Sequence, residues 1–279
     1  MCRSAVLCLS HFEKGEDVLS IQIENLYFAY GKKKVLEGIS FEVPDKCLCS
    51  VLGPNGAGKT TLFKCILGML KKYRGEIKID DISTRNLSAK ELAHRIAYIP
   101  QSHNQTFDYR VIDMALMGTD HNLSMFSAPG RKEILRAEEA LDRVGILYMR
   151  EKLFSHLSGG EQQLVLVARA LAQGSHTLLM DEPTSALDYG NQSMVMEQAR
   201  LLADEGYCVV LSTHTPQHSL WYADMALALQ GGNIAAFGAP AKVLNEELID
   251  TLYGVKTNFI ETESGTIISP GSKTYRKTN

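Results

Sequence analysis

The sequence predicts an α/β fold whose core is a mostly parallel sheet, with an N-terminal antiparallel β part and a helical insertion. Short apolar strand patterns alternate with helical patterns along most of the 279 residues, which implies a parallel sheet covered on both faces. Near the N-terminus, two strand patterns are joined by a polar turn, as in an antiparallel hairpin. Residues 111–149 follow a helical period, which places the insertion between two parts of one core.

The N-terminal region divides into an aperiodic segment and a hairpin. Residues 1–18 show no clear period and are expected to form an extension. Their short apolar run is followed by acidic residues instead of a small-residue cleavage site, so no signal peptide is expected. Alternating apolar and polar residues at 21–26 predict a strand, and residues 35–43 predict another after a polar turn at 31–34.

The core elements follow in order along the chain. The extended run 47–52 leads into a glycine-rich loop, after which residues 60–70 predict a helix. Further strands or helices are predicted at 75–80, 96–100, 159–172, 177–180, 208–212 and 243–252. Within the insertion, one apolar stripe at helical spacing comprises Ile134, Ala137, Leu141 and Val144. We therefore predict one domain over 19–270, a helical subdomain inserted at about 102–158, and a solvated tail at 271–279.

The composition excludes several classes of protein. The net charge of −3 argues against nucleic acid as a partner, and no window reaches the roughly 18 apolar residues of a membrane span. The six cysteines form no C-x-x-C pair, so we expect them to be structural and inert in a reducing compartment. His214 and His218 have i,i+4 spacing, but Pro216 intervenes and no third ligand is evident, so no metal pair is expected.

Residues 53–60, Gly-Pro-Asn-Gly-Ala-Gly-Lys-Thr, fit the pattern G-x-x-x-x-G-K-[ST] between a predicted strand and a predicted helix. Glycines let backbone N–H groups curl around phosphate oxygens, and the helix N-terminus attracts the same anion. Lys59 is expected to neutralise the β- and γ-phosphates, and Thr60 to offer its hydroxyl to Mg²⁺. The sequence therefore predicts a P-loop NTPase core.

Phosphoryl transfer also requires a carboxylate for the metal ion and a group that orients water. Asp181 follows an apolar strand and is expected to contact Mg²⁺, while Glu182 points elsewhere and can act as general base. Gln101 and His214 each follow a predicted strand, where the first could contact Mg²⁺ or water and the second the γ-phosphate. Taken alone, Gln101 would be read as an ordinary loop residue, and His214 could be one too.

A second glycine-bearing motif, Leu157-Ser158-Gly159-Gly160-Glu161, opens another predicted helix. Ser158 could simply cap that helix. The helix nevertheless presents a second N-terminus that attracts anions, and packed helices stand about 8–10 Å apart, so both cannot hold one γ-phosphate. Two chains arranged head to tail about a two-fold axis would satisfy both sites, with each motif serving the partner's nucleotide.

Together these motifs resemble the ATP-binding subunit of ABC transporters, over about Ile21 to Pro270. The residues that carry the resemblance are Gly53 to Thr60, Gln101, Leu157 to Glu161, Leu178 to Pro183, Ser185 to Asp188, and His214. The resemblance implies an ABC-type ATPase with ATP and Mg²⁺ as ligands. It also implies a second copy, polytopic membrane permease subunits and, indirectly, a substrate-binding protein as partners, at the cytoplasmic face of the cell membrane.

The resemblance also implies a role for individual residues. Tyr30 would stack on adenine, although Tyr27 and Phe28 compete for that role. Gln101 would couple the nucleotide site to the membrane subunit, and Asp188 would cross the dimer interface. The implied catalytic residues are Glu182, His214 and Gln101, and the implied metal ligands are Thr60, Gln101 and Asp181. The implied nucleotide-binding residues are Tyr30, Gly53, Pro54, Asn55, Gly56, Ala57, Gly58, Lys59, Thr60, Thr61, Ser158, Gly159, Gly160, Glu161 and Asp188.

Two stretches are similar to importers of iron chelates, haem and cobalamin, and molybdate-type importers share them: residues 160–173, and residues 111–118 followed by His121 and Phe126. Lys46 to Cys49 and Thr119 depart from this subfamily pattern without touching the chemistry. An alternative is a soluble ABC-type ATPase of DNA repair or translation, which would carry long coiled-coil arms or a second cassette. Another is a scaffold that binds ATP without hydrolysis, which would be expected to lack the carboxylate of Glu182.

Overall fold

The computed structural model describes residues 19–101, 108–119, 129–263 and 265–271. The expectations for residues 1–18, for His121 and Phe126, and for the tail beyond Gly271 lie outside these ranges. Two sheets and a small hairpin make up the β structure of the described residues. The predicted boundaries of the single domain and of its helical subdomain stay predictions.

The N-terminal sheet is antiparallel and has the strand order β2-β1-β4-β5. Its strands are β1 (Leu19–Tyr30), β2 (Lys33–Pro44), β4 (Arg74–Ile79) and β5 (Ile82–Ser83). The turn between β1 and β2 occupies only Gly31 and Lys32, so the predicted turn at 31–34 is too long. Lys33 and Lys34 instead begin β2, where they pair with the end of β1.

The central sheet has six strands in the order β10-β9-β3-β8-β7-β6. Its strands are β3 (Cys47–Leu52), β6 (Ile96–Ile99), β7 (Thr177–Met180), β8 (Cys208–Thr213), β9 (Met225–Gln230) and β10 (Asn233–Gly238). Every pairing in it is parallel except that of β10 with β9. The predicted fold class is confirmed, and β9 and β10 are two strands that the sequence patterns missed.

Nine α-helices accompany these strands within the described residues. They are α1 (Lys59–Ile66), α2 (Ala89–Arg95), α3 (Val111–Leu116), α4 (Arg131–Arg143), α5 (Gly159–Gln173), α6 (Tyr189–Asp204), α7 (Pro216–Tyr222), α8 (Pro240–Val243) and α9 (Glu246–Tyr253). Short 3₁₀ turns lie at Thr84–Asn86, Leu147–Met149 and Phe154–His156, and a last hairpin joins β11 (Thr257–Thr262) to β12 (Gly265–Pro270). No described helix is both long and apolar enough to cross a bilayer.

Three helix predictions need correction. The helix predicted at 60–70 ends at Ile66, because Gly68 adopts a left-handed φ of 65° that a helix cannot continue through. Ile134 is exposed, because α4 packs through positions nearer its C-terminal end. The helix predicted at 243–252 is two helices, because Asn245 leaves the helical conformation and caps α9 by accepting a hydrogen bond from Leu248 N–H.

Side chains alternate across the central strands and feed two different cores. In β8, Val209 and Leu211 face the core shared with α3, α4, α5 and α6. Cys208 and Val210 face the other core, formed with the antiparallel sheet and α1. A smaller apolar cluster joins α9 to the ends of β3 and β9. The strands that end at the site are therefore buried on both faces.

Candidate functional site

The loop between β3 and α1 folds around the side chain of Lys59. Its Nζ donates hydrogen bonds to the carbonyl oxygens of Gly53, at 2.7 Å, and Pro54, at 3.4 Å. Gly58 precedes α1 with φ 109°, and a Cβ there would lie 2.9 Å from the side chain of Leu36. No side chain caps α1, so its first N–H groups stay available to an anion.

The acidic pair at the end of β7 sits in two different environments. Asp181 is buried, and its Oδ1 accepts a 2.6 Å hydrogen bond from the Ser212 hydroxyl. The Tyr98 hydroxyl lies 3.5 Å from the other Asp181 oxygen, and burial, reinforced by Asp181, raises the pKa of Tyr98 to about 12. Ser212 also accepts a hydrogen bond from the Glu182 N–H, at 2.9 Å. One hydroxyl of β8 thus fixes both acidic residues.

Glu182 has a left-handed backbone with φ 47°, which is a strained conformation for a residue other than glycine. Its carboxylate accepts a 2.9 Å hydrogen bond from Gln101 Nε2 and lies 3.4 Å from Lys59 Nζ. His214 Nδ1 lies 3.6 Å from the same carboxylate. The structure therefore brings together Lys59, Gln101, Glu182 and His214, which the sequence analysis selected from four separate segments.

These residues line an open cleft of about 1000 Å³. Residues 54–61 form one wall, and Tyr30 stands at the mouth with half of its surface exposed. Tyr30 packs edge-on against the buried ring of Phe28, with centroids 4.9 Å apart, whereas Tyr27 lies under the guanidinium of Arg74. Of the three aromatic residues considered for adenine stacking, only Tyr30 lines this cleft.

Ser158 and Glu161 hold each other at the start of α5. The Ser158 backbone N–H and hydroxyl donate to Glu161 Oε2, at 2.7 and 2.8 Å, and the Glu161 N–H donates back to the Ser158 hydroxyl. These hydrogen bonds lower the pKa of Glu161, and the one from the Ser158 backbone has the largest effect. They form a complete capping box, so within a single chain Ser158 caps helix α5.

The α5 and α6 N-termini are neighbours. A Cβ on Gly160 would lie 2.1 Å from Oδ1 of Asn191, so only glycine fits this approach. Asn191 in turn donates to the Asp188 carboxylate from its backbone N–H and from its side chain. Among the described residues, none of 157–161 lines the cleft, and neither does Asp188. The predicted site residues thus form two separate groups.

The remaining candidates behave as packed side chains. Burial raises the pKa of Cys47 and Cys65 to about 12 and that of Cys49 and Cys208 still further. His218 is buried, which lowers its pKa. Within the described part of the chain, no group of three or more His, Cys, Asp or Glu residues could hold a metal ion by itself.

Several residues of the cleft were not selected from the sequence: Lys33, Lys34, Val35, Ser185, Gly231, Gly232 and Tyr253. The lysines stood out only as part of a polar turn. Ser185 lies two residues beyond Pro183 within the motif region, where its place in the resemblance gave it no separate role. Gly231, Gly232 and Tyr253 come from the C-terminal third, where no local pattern indicated a site.

Comparison with known proteins identifies the family. The ABC transporter family model matches residues 36–185. The chain is 34% identical to the hemin import ATP-binding protein HmuV of Rhodococcus jostii, with 87% of this chain and 82% of that protein covered. It is 30% identical to the ferric enterobactin transport ATP-binding protein FepC of Escherichia coli, with 88% and 91% covered.

The fold is similar to a solved structure described as an inward-facing conformation of a metal-chelate type ABC transporter, with a TM-score of 0.80 and 29% identity. That match covers 92% of this chain and 99% of the other. A match of this extent includes most of the residues beyond position 185, where the family model ends. The predicted family and the predicted ATPase are confirmed: the chain belongs to the ABC transporter family, as an ATP-binding subunit that hydrolyses ATP.

Proposed function

We propose that this chain is the ATP-hydrolysing subunit of an importer that takes up a metal chelate of the iron-siderophore, haem or cobalamin class. The relatives named for hemin import and ferric enterobactin transport support this substrate class. Polytopic permease subunits supply the membrane path, and a substrate-binding protein delivers the chelate to them. The chain is placed at the cytoplasmic face of the membrane, bound to the permease.

The nucleotide lies in the cleft with its adenine on Tyr30 and its phosphates in the loop 53–60. The N-terminus of α1 and the Lys59 ammonium neutralise the phosphates, since both point positive charge at the same place. Glu182 is the general base for the attacking water, and His214 contacts the terminal phosphate. Glu182 reaches this position because its left-handed backbone turns the side chain away from the buried Asp181.

The donor set near the loop fits Mg²⁺. Hydroxyl, amide and carboxylate oxygens are the ligands this ion accepts, and it usually keeps waters and substrate phosphate oxygens as well. Thr60 and Gln101 line the cleft. The NH₂ group of Gln101 donates a hydrogen bond to Glu182, so the amide oxygen of Gln101 stays available for the metal. Asp181, which precedes Glu182 and is buried without lining the cleft, would supply the carboxylate. Bound there, Mg²⁺ would neutralise charge on the phosphates.

One observation supports the proposal that two copies of the chain form a dimer. The α5 N-terminus, with Ser158, Gly159, Gly160 and Glu161, lies outside the cleft that holds the other phosphate-binding features. In a head-to-tail pair, this N-terminus meets the γ-phosphate of the partner's ATP, and Asp188 lies beside it at the interface. The Glu161 carboxylate, which occupies the Ser158 hydroxyl in the single chain, gives way to the phosphate.

The alternative of a soluble ABC-type ATPase lacks a supporting feature. The described helices of the insertion, α3 and α4, have 6 and 13 residues and form no coiled-coil arm. They pack against α5 instead.

ATP binding closes the two copies in the proposed importer because only the closed state lets each γ-phosphate touch both chains.

Uptake in the native cells tests the proposal. Cells without this chain should lose most ATP-dependent uptake of one labelled compound among a ferric siderophore, haem and cobalamin. The intact chain should restore that uptake, whereas Lys59→Ala should not, and uptake of an amino acid should be unchanged in all strains. Full uptake of all three chelates without the chain would overturn the proposed substrate class.

A further inference from the structure

Helix α9 places one side chain beside the phosphate loop from a segment far along the chain. Leu248 and Leu252 of α9 pack against Leu52, the last residue of β3, and against two alanines of β9. Small alanine side chains let the helix approach the sheet closely. The next residue, Tyr253, ends α9 and lines the nucleotide cleft together with Glu182 and His214.

The position of Tyr253 is fixed from both sides. Gly254 follows with a left-handed φ of 67° and closes the helix through a 2.7 Å hydrogen bond from its N–H to the Asp250 carbonyl oxygen. Gln230, at the end of β9, donates a 2.6 Å hydrogen bond to the Thr251 carbonyl oxygen. The backbone of Tyr253 therefore cannot move away from the cleft without disturbing the packing of α9 on the sheet.

The Tyr253 hydroxyl is buried and has no hydrogen-bond partner among the described residues. The Gly53 backbone approaches the phenol closely enough to lower its pKa somewhat, without meeting hydrogen-bond geometry. Burial outweighs this effect and, with the negative charge of Glu182, raises the pKa of Tyr253 to about 12. The phenol is thus protonated at neutral pH, and its O–H is an unused donor.

Glu182 does not take up this donor. The hydroxyl makes no hydrogen bond to its carboxylate, which is contacted instead by Gln101, Lys59 and His214. A buried donor without an acceptor is costly, and this one belongs to a residue that lines a polar cleft, so an acceptor that arrives with the ligand is favoured. Leu52, against which α9 packs, precedes Gly53, whose carbonyl oxygen accepts the hydrogen bond of Lys59, and Lys59 lies 3.4 Å from Glu182. This packing sets Tyr253 beside the start of the phosphate loop, where Lys59 and Glu182 meet.

We propose that the Tyr253 hydroxyl donates a hydrogen bond to the terminal phosphate of bound ATP, and so helps the site to distinguish ATP from ADP. This inference rests on the proposed placement of the nucleotide in the cleft. Tyr253 lies outside the residues matched by the family model, which end at position 185. It is a binding residue contributed by the C-terminal helix, which thereby senses whether the terminal phosphate is present.

Tyr253→Phe removes only the oxygen and is the direct test. Dissociation constants are measured by titration calorimetry for a non-hydrolysable ATP analogue and for ADP, both with Mg²⁺. The analogue should bind about tenfold more weakly to the variant, the loss expected for one hydrogen bond to a charged group. Binding of ADP should change by about twofold at most, because ADP lacks the terminal phosphate.

Thermal unfolding without nucleotide separates this role from a structural one. Tyr253→Phe should unfold at the wild-type temperature or above it, because the lost hydroxyl had no partner. The matched control is Tyr73→Phe, which removes a buried hydroxyl that is hydrogen-bonded to Thr84 at 2.8 Å. That control should unfold at a lower temperature and keep the wild-type ratio of the two dissociation constants.

The outcomes distinguish this inference from the function on which it rests. If the ratio of the two dissociation constants is the same in Tyr253→Phe as in the wild type, whether or not both nucleotides bind more weakly, the proposed role of Tyr253 is wrong. Lys59→Ala should severely weaken the binding of both nucleotides. If Lys59→Ala binds them like the wild-type chain, the placement of the nucleotide in the cleft is wrong, whatever Tyr253→Phe shows.

Discussion

The Lys59 ammonium lies 3.4 Å from the Glu182 carboxylate, with both side chains largely shielded from solvent. This carboxylate and two loop carbonyl oxygens share the positive charge of Lys59. In the proposed function, incoming phosphates draw Lys59 away from Glu182. The same step would free Glu182 to accept a proton from water, so that one ion pair would link nucleotide binding to activation of the proposed base.

Glu182→Gln should lower the turnover of ATP by about 10²–10⁴-fold, the usual contribution of a general base. ATP should bind as tightly as to the wild-type chain or more tightly, because the neutral amide no longer competes for Lys59. Phosphate release and a binding titration measure the two effects. Glu24→Gln, at an exposed position of β1, is the control and should hydrolyse ATP normally. Normal turnover in Glu182→Gln would refute the role of this residue.

The same Glu182→Gln variant should accumulate as an ATP-bound dimer, because the interface forms while the step that reopens it is lost. Light scattering at increasing ATP should show the molecular mass doubling. ADP should leave the variant monomeric, since it lacks the phosphate that bridges the chains. A monomer at saturating ATP would contradict the proposed two-copy site.

Ser158→Arg should abolish hydrolysis and leave ATP binding to the single chain intact, because Ser158 lies outside that chain's own cleft. The chain offers a matched control in Ser88→Arg, since Ser88 forms an identical capping box with Glu91 at the start of α2. Both variants lose a helix cap, but only Ser158→Arg should lose phosphate release. If Ser158→Arg fails to bind ATP, Ser158 belongs to its own chain's site.

Ser212→Ala should destabilise the chain by about 1–3 kcal/mol, the cost of leaving buried partners without hydrogen bonds. The variant removes the donor to Asp181 and the acceptor for the Glu182 N–H. Denaturant unfolding gives the free-energy change, and ATP turnover should fall with it because both acidic residues lose their support. Ser50→Ala in β3 loses a single 3.2 Å hydrogen bond to a backbone carbonyl oxygen and should cost less.

The capping box of Glu161 should make part of the stability depend on pH. Hydrogen bonds from Ser158 hold the pKa of Glu161 below its ordinary value of 4.5 in the folded chain. Its stabilising contribution is therefore complete above pH 4.5 and is lost as the pH falls through the lower folded pKa. Glu161→Gln should be less stable than the wild type near neutral pH, and the difference should shrink in acid.

Denaturant unfolding at several pH values measures this difference. Glu91→Gln is the matched comparison, because the Ser88 hydrogen bonds also lower the pKa of Glu91. It should show the same trend in stability without any effect on ATP-dependent dimerisation. A stability difference for Glu161→Gln that stays constant from neutral pH into acid would show that the capping hydrogen bonds do not depend on its charge.

The sequence was sufficient for the parts of the fold and site that depend on local pattern. The loop 53–60, the strand before Asp181 and the capped helix at Ser158 are each contained in a short contiguous stretch. Their context of strand, loop and helix could therefore be recognised directly. The ends of two helices were predicted wrongly, because the stop at Gly68 and the break at Asn245 depend on single residues.

The missed residues act through contacts that are distant in sequence. Ser212 supports Asp181 from 31 positions away, because β7 and β8 are neighbours in the sheet. Tyr253 reaches the loop because α9 packs on Leu52, and nothing in the local sequence of α9 indicates that approach. Such relationships follow from the order of strands and the packing of helices, and neither is written in a local period.

The close contact between Gly160 and Asn191 has a mechanical consequence. Because there is no room for a side chain between them, the N-termini of α5 and α6 pack closely, and we expect Ser158 and Asp188 to move together. In the proposed pair of chains, a rotation that withdraws Ser158 from one nucleotide also withdraws Asp188 from the interface. Such coupled motion would make the separation of the two chains a concerted event, suited to one large movement per cycle.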